Sequence, residues 1–131
     1  MGLFDGLFGN KDKGEKIEKK DLAWIPLTSL DQLEEIKEKS GAKTQIIFKH
    51  STTCGISRMV INTLKSSYNL TEDQADLYYL DLLSNREVSN ETGYKFQVLH
   101  QSPQLLVIKN GVAVAHASHG EINNIDLSSF I

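Results

Sequence analysis

The chain is poor in cysteine, proline and long apolar runs, and each shortage excludes a class of protein. Its 131 residues include one cysteine and two prolines. A single cysteine excludes an intramolecular disulfide framework, and in a chain without a secretory signal it predicts a reducing, cytoplasmic location. No apolar run reaches the roughly 18 residues of a transmembrane helix, so we expect no transmembrane segment. The length indicates one domain.

Positive charge is also scarce. The chain has 14 lysines and arginines against 17 acidic residues, and its formal net charge is −3. Domains that bind nucleic acid usually carry a basic excess, so we expect no nucleic-acid partner. The most basic stretch, residues 11–20, is interrupted by glutamates and is typical of a solvated linker.

Residues 1–20 are predicted to form a flexible tail, and residues 21–131 the folded domain. The start of the tail is apolar and rich in glycine, but it is too short for a signal peptide and has no small-residue cleavage pattern. The alternative to a disordered terminus is a weak membrane or partner contact through Leu3, Phe4, Leu7 and Phe8.

Residues 22–131 alternate short apolar strands with amphipathic helices. The order strand, helix, strand, helix, strand, helix, hairpin predicts parallel crossovers with an antiparallel edge. This is an α/β pattern with a central mixed sheet of four to five strands flanked by helices, the thioredoxin fold. The predicted strands are 22–27, 44–50, 75–83 and a hairpin at Asn110–Gly111, and the predicted helices begin near Ser29, Cys54, Ser84 and Gly120.

The stretch HSTTCGISRMV, residues 50–60, places Cys54 between a strand and a helix. Open α/β sheets place their sites at such positions. Unpaired amides and the dipole of the first helical turn favour a thiolate there, and Arg58 lies on the same helical face. We therefore expect a lowered pKa for Cys54, with Thr53 and Gly55 completing its surroundings. The alternative is an inert, buried cysteine.

Ser57 stands where a dithiol redox protein carries its second cysteine. A serine hydroxyl cannot resolve a mixed disulfide, although it can bond a thiolate or cap the helix. Cys54 is therefore predicted to stop at a mixed disulfide, which an external thiol must release.

Pro103 follows Ser102 at the entrance to a predicted strand, and we expect a cis peptide bond there, facing the Cys54 loop. The Ser102 backbone would then pair with a bound thiol peptide. The alternative is an ordinary trans proline. His119 is expected to border the thiol-binding groove. His50 either stabilises the thiolate or ends its strand, and the sequence favours the structural role.

Three other features bear on metals and on related families. The remaining histidines, with one cysteine, lack the ligand spacing of a zinc site, so no metal is expected. CGISR resembles the C-G-F-S-R of monothiol glutaredoxins, which hold a [2Fe–2S] cluster with glutathione. HSTTCGISR fits the H-x-x-x-C-x-x-x-R pattern of thioredoxin-fold arsenate reductases, which need more arginines than Arg58 and Arg86.

A third resemblance covers the chain from Trp24 to its end. IFKHSTTCGIS, YYLDLLSNREVSN, HQSPQLLVIKNG and AHASHGEI are similar to successive blocks of the YtxJ family, the monothiol bacilliredoxins. This implies that Cys54 removes bacillithiol from S-thiolated proteins, with bacillithiol as co-substrate and no bound cofactor. Members often have proline after the cysteine, where this chain has Gly55. An iron–sulfur carrier and a non-catalytic thioredoxin-like binding module remain alternatives.

Overall fold

The computed structural model describes residues 22–53 and 55–131. The predicted tail and Cys54 lie outside these residues. The elements, in chain order, are β1 (Trp24–Pro26), α1 (Leu30–Lys39), β2 (Thr44–His50), α2 (Gly55–Ser67), β3 (Ala75–Asp81), α3 (Arg86–Phe96), β4 (Gln104–Lys109) and β5 (Val112–Ser118), followed by 3-10 helices at His119–Asn124 and Leu127–Phe130.

The strands form one mixed sheet in the order β1-β3-β2-β4-β5. β3 runs parallel to β1 and β2, whereas β4 is antiparallel to β2 and to β5. β2 is therefore central, and in register Ile47 lies between Tyr78 and Leu106. This confirms the predicted α/β architecture and its sheet of four to five strands.

An apolar core lies on each face of the sheet, as the alternation of side chains along strands requires. On one face, Ile47 and Leu80 pack with Leu33 of α1 and Phe96 of α3. On the other face, Phe48 packs with α2 side chains and with Ile122 of the first 3-10 helix. Because both faces are covered, all seven residues of β2 are buried, and each large apolar side chain among them contributes about 1.5–3 kcal/mol.

β1 is the predicted edge strand, although it is shorter than the expected 22–27. Its register pairs Trp24 with Leu77 and Pro26 with Tyr79. An edge accommodates Pro26, which has no N–H to donate. The following helix begins as predicted, because the side-chain oxygen of Gln32 accepts from the N–H of Ser29 at 3.1 Å in a capping box.

The third strand ends at Asp81, two residues earlier than predicted. One Asp81 carboxylate oxygen accepts from the Leu83 N–H at 3.1 Å, and the other accepts from the Ser84 hydroxyl at 3.1 Å. These local bonds turn the chain out of the sheet. The helix that follows consequently begins at Arg86 instead of Ser84.

The chain ends differently from the single short helix predicted near Gly120. Two separate 3-10 helices occur, with Ile125 extended between them. Only Ile122 is buried in the first helix, and the asparagines at 123 and 124 have a low helix propensity, so a longer α-helix is not favoured. The predicted hairpin turn is present, with φ of 52° at Asn110 and 82° at Gly111.

Candidate functional site

The predicted site residues gather where β2 ends and α2 begins. β2 ends at His50, and α2 begins at Gly55. Cys54 lies in the joining segment by sequence but outside the described residues. Its two neighbours, Thr53 and Gly55, are both exposed, so solvent and a partner can reach the chain on either side of the cysteine.

Ser57 lies in the first turn of α2 and points inward. It is 0% exposed, and its hydroxyl oxygen accepts from the N–H of Ser51 at 3.4 Å. The Ser51 hydroxyl lies 3.4 Å from that of Thr53. Ser57 thus fastens the start of the Cys54 loop to the helix that follows it.

The outer face of α2 is more apolar than the sequence predicts. The buried stripe runs through Ser57, Val60, Ile61 and Leu64. The helical period of the sequence predicts one apolar face made of Ile56, Met59, Val60, Thr63, Leu64 and Tyr68. Ile56 and Met59 are instead 54% and 71% exposed. They form an exposed apolar surface beside the cysteine segment. The charged side chain of Arg58, between them in sequence, is also exposed.

His50 is packed among aromatic rings. Its ring centroid lies 5.9 Å from that of Phe48 and 5.5 Å from that of Tyr79. Burial lowers the pKa of His50, and the charges of Lys65 and Arg58 act in the same direction against the opposing charge of Asp81. A neutral imidazole offers no positive charge to a thiolate at neutral pH, which favours the structural role.

The Ser102–Pro103 peptide bond is cis. Because Lys49 pairs with Gln104 in the β2–β4 ladder, Pro103 comes level with His50 at the end of the sheet. The His119 N–H donates to the Pro103 carbonyl oxygen at 3.0 Å. The structure therefore brings His119 to Pro103 through its backbone, while its side chain is exposed.

Three buried polar side-chain atoms near this end of the sheet have no hydrogen-bond partner among the described residues: Oε1 of Gln104 and the two that belong to predicted site residues. The latter two are the hydroxyl oxygen of Ser102 and Nδ1 of His50. Buried polar atoms are normally paired, and an unpaired one costs about 1–3 kcal/mol. The Ser102 and His50 atoms both belong to residues that the sequence places at the thiol-binding site.

Lys49, the residue before His50, was not among the predicted site residues. Its side chain is 0% exposed, and its Nζ lies 3.2 Å from the Ser89 carbonyl oxygen and 3.1 Å from Nδ1 of His100. The available signal was a lysine within the otherwise apolar run IIFKH, since a strand buried on both faces buries every side chain it carries.

No helix in residues 22–53 or 55–131 is long and apolar enough to cross a membrane.

Residues 25–127 match the model of a family described as monothiol bacilliredoxin BrxC. This match spans every strand and α-helix except the first residue of β1, and it includes all the predicted site residues.

Solved structures share the architecture. One, described as a proposed oxidoreductase with a thioredoxin fold, is 35% identical, with a TM-score of 0.68 over 81% of this chain and 91% of that chain. A thioredoxin of Malassezia sympodialis is 19% identical, with a TM-score of 0.62 over 79% and 84% of the two chains. Thioredoxin O2 of Arabidopsis thaliana is 20% identical, with a TM-score of 0.62 over 82% and 90%. These likenesses confirm the predicted thioredoxin fold.

Proposed function

We propose that this chain, which belongs to the monothiol bacilliredoxin family, removes a low-molecular-weight thiol from S-thiolated proteins through Cys54. The observation that carries the proposal is the pairing of one cysteine with a buried serine. Cys54 is the only thiol in the chain, and Ser57, at the resolving position, is already bonded to the Ser51 backbone. Such a protein can release a reduced target from a mixed disulfide only by keeping the small thiol itself.

In the proposed reaction, the Cys54 thiolate attacks the sulfur of the small thiol within the mixed disulfide. The disulfide bond to the target protein breaks as the new bond to Cys54 forms, and the target leaves as a thiolate that takes a proton from solvent. A second free thiol or a reductase then attacks the adduct and returns Cys54 to its reduced state. Bacillithiol is the proposed small thiol, in a reducing cytoplasm.

The surface beside the cysteine segment supports a protein partner. Ile56 and Met59 are largely exposed on α2, and Leu83 and Leu99 are exposed in the loops before and after α3. Exposed apolar side chains grouped at one end of a sheet are typical of a protein contact.

Cys54→Ala is expected to abolish the release of the small thiol. The assay incubates the full chain with a purified protein carrying bacillithiol on one cysteine, and intact mass spectrometry follows both partners. In the wild type, the adduct mass leaves the target and appears on this chain. Release of bacillithiol by the Cys54→Ala variant would contradict the proposal.

The same preparation separates exchange from an inert thiol and from an iron–sulfur carrier. Alkylation of Cys54 by iodoacetamide, measured against pH, gives the thiol pKa, and a value at or above the ordinary pKa of about 8.5 favours a binding module. Reconstitution with iron, sulfide and glutathione tests the carrier, for which a brown dimer is expected. A reactive cysteine on a colourless protein fits thiol exchange.

A further inference from the structure

Lys49 is a buried cation without an acidic partner among the described residues. The ion pairs found there join Lys43 to Asp76 and Lys95 to Glu34. The Lys49 ammonium instead donates to the Ser89 carbonyl of α3 and to the ring of His100. Burying an ammonium group is costly, and an apolar side chain would avoid that cost. Because this cost is not offset by an ion pair in the described part of the chain, the hydrogen bonds from Lys49 to Ser89 and His100 point to its role.

Those contacts secure the α3–β4 connection, residues 97–103. Lys49 reaches His100 at 3.1 Å, and the adjacent Gln104 donates from its side-chain nitrogen to the Leu99 carbonyl at 2.9 Å. Both anchors stand on the same face of the sheet, because Lys49 and Gln104 are cross-strand partners. The connection that they hold carries Ser102 and the cis Pro103 to the predicted thiol-binding position.

The Lys49–His100 bond requires a particular pair of protonation states. Nδ1 of His100 must be unprotonated in order to accept, and Nζ of Lys49 donates most strongly as an ammonium group. Burial lowers the pKa of Lys49 to about 8. Burial, Lys49 and Arg86 together lower the pKa of His100. At neutral pH, a charged lysine therefore faces a neutral imidazole.

The groups packed around Lys49 leave few other candidates for titration. Its strand neighbours are Leu80 on β3 and Gln104 on β4, and α3 presents the Ser89 carbonyl. Arg86 on α3 acts on His100 and keeps its charge throughout the accessible pH range. The ionisations at this contact are thus those of Lys49 and His100.

We propose that Lys49 is a positioning residue for thiol exchange. Its ammonium group, bonded to His100, holds the α3–β4 connection so that Ser102 and Pro103 face the Cys54 segment, and the hold weakens when the lysine loses its proton. This rests on the proposed exchange function, because positioning matters only if a thiol substrate pairs with the Ser102 backbone. A neutral amine still donates hydrogen bonds, but these are about half as strong.

The first test follows the connection itself by NMR on the full chain. In the wild type, the backbone amides of Gln101 and Ser102 shift with an ionisation near pH 8. Lys49→Met abolishes that shift and raises the pKa of His100 towards its ordinary value, because one neighbouring positive charge is lost. His100→Ala, a change at an exposed side chain, also abolishes the amide shift. Amide titrations unchanged in both variants would overturn the proposal.

The second test measures exchange relative to thiolate reactivity. The rate of bacillithiol removal is divided by the iodoacetamide rate at each pH, which cancels the ionisation of Cys54. The wild-type ratio falls about fivefold across the Lys49 ionisation. The ratio of Lys49→Met is low and flat. Lys49→Arg keeps its charge, so its ratio shows no fall above pH 8. A wild-type ratio that does not change with pH would contradict the positioning role.

Lys109→Met is the matched control, since it removes a lysine from the other end of β4 and should leave the pH dependence of the ratio unchanged. The two proposals fail in different ways. A wild type that alkylates at Cys54 but removes no bacillithiol overturns the exchange function and with it the use of Lys49. Normal exchange with the same pH profile in Lys49→Met overturns the positioning role alone.

Discussion

Ser57 shows how a single hydroxyl group organises the residues around the cysteine segment. The sequence predicts that it bonds a thiolate or caps α2, and among the described residues its oxygen accepts from the Ser51 N–H. That bond crosses the Cys54 segment from the first turn of α2 to the end of β2. Ser57 therefore restrains the loop in which the thiol must react.

Ser57→Ala should lower the free energy of unfolding by about 1 kcal/mol, because one buried hydrogen bond is lost. Exchange should fall only in part, since the alanine leaves the thiol in place but its loop less restrained. Urea denaturation and the bacillithiol-removal assay measure the two effects. Ser66→Ala is the control, because its hydroxyl lies on the exposed side of the same helix. Complete loss of exchange in Ser57→Ala would show that the hydroxyl takes part directly.

At the scale of elements, α2 begins with Gly55. A Cβ added at Gly55 would meet nothing within 4 Å apart from its chain neighbours and the backbone of α2 itself, so the position has room for a methyl group. Proline is favoured in the first turn of a helix, where its missing N–H has no intrahelical partner. Packing in the described part of the chain therefore does not require a glycine at position 55.

Gly55→Pro should raise the free energy of unfolding by about 0.4–1 kcal/mol, because proline suits the first turn of a helix and restricts the unfolded chain. Gly55→Ala should give a smaller gain. Gly93 in α3 is the contrasting control, since a Cβ there would approach the Val98 carbonyl oxygen to 2.9 Å. Gly93→Ala should destabilise the chain. Urea denaturation of the three variants ranks their free energies of unfolding. A Gly55→Pro variant less stable than the wild type would show that this position does not accommodate a proline.

The elements themselves were largely predictable, because their signals are local. The capping box at Ser29, the Asn110–Gly111 turn and the apolar period of the strands each act over a few residues. The predicted boundaries were wrong where a side chain redirected the backbone, as Asp81 does at the end of β3. The exposure of Ile56 and Met59 was missed because the helical period of α2 allowed two apolar faces, and only packing selects one.

At the scale of the whole molecule, the contacts that sequence analysis missed join residues far apart in the chain. Lys49 meets His100 across 51 positions, and no local pattern links them. The same holds at the opposite end of the sheet. There Gln45 donates to Asp76 at 2.9 Å and accepts from the Tyr78 hydroxyl at 3.0 Å, while Lys43 pairs with Asp76 at 2.9 Å. Strand register creates such groups, and the register depends on the complete fold.

The polar cluster formed by Lys43, Gln45, Asp76 and Tyr78 should make the free energy of unfolding depend on pH in the acid range. Burial alone would raise the pKa of Asp76, but the bonds from Lys43 and Gln45 outweigh it and lower the pKa. A lowered carboxyl pKa means that the unfolded chain binds the proton more readily. The stabilisation is therefore present above about pH 4 and lost as the pH falls through the folded-state pKa.

Asp76→Asn should remove this part of the acid dependence, because its amide cannot ionise. The free energy of unfolding, measured in urea from about pH 7 down to pH 3, should fall less steeply in Asp76→Asn than in the wild type. The variant should also be less stable at neutral pH, where the wild-type ion pair is intact. Asp73→Asn, an exposed carboxyl three residues away, is the control. If the free energy of unfolding fell equally steeply with pH in the wild type and in Asp76→Asn, the contacts from Lys43 and Gln45 would not stabilise the charged carboxylate.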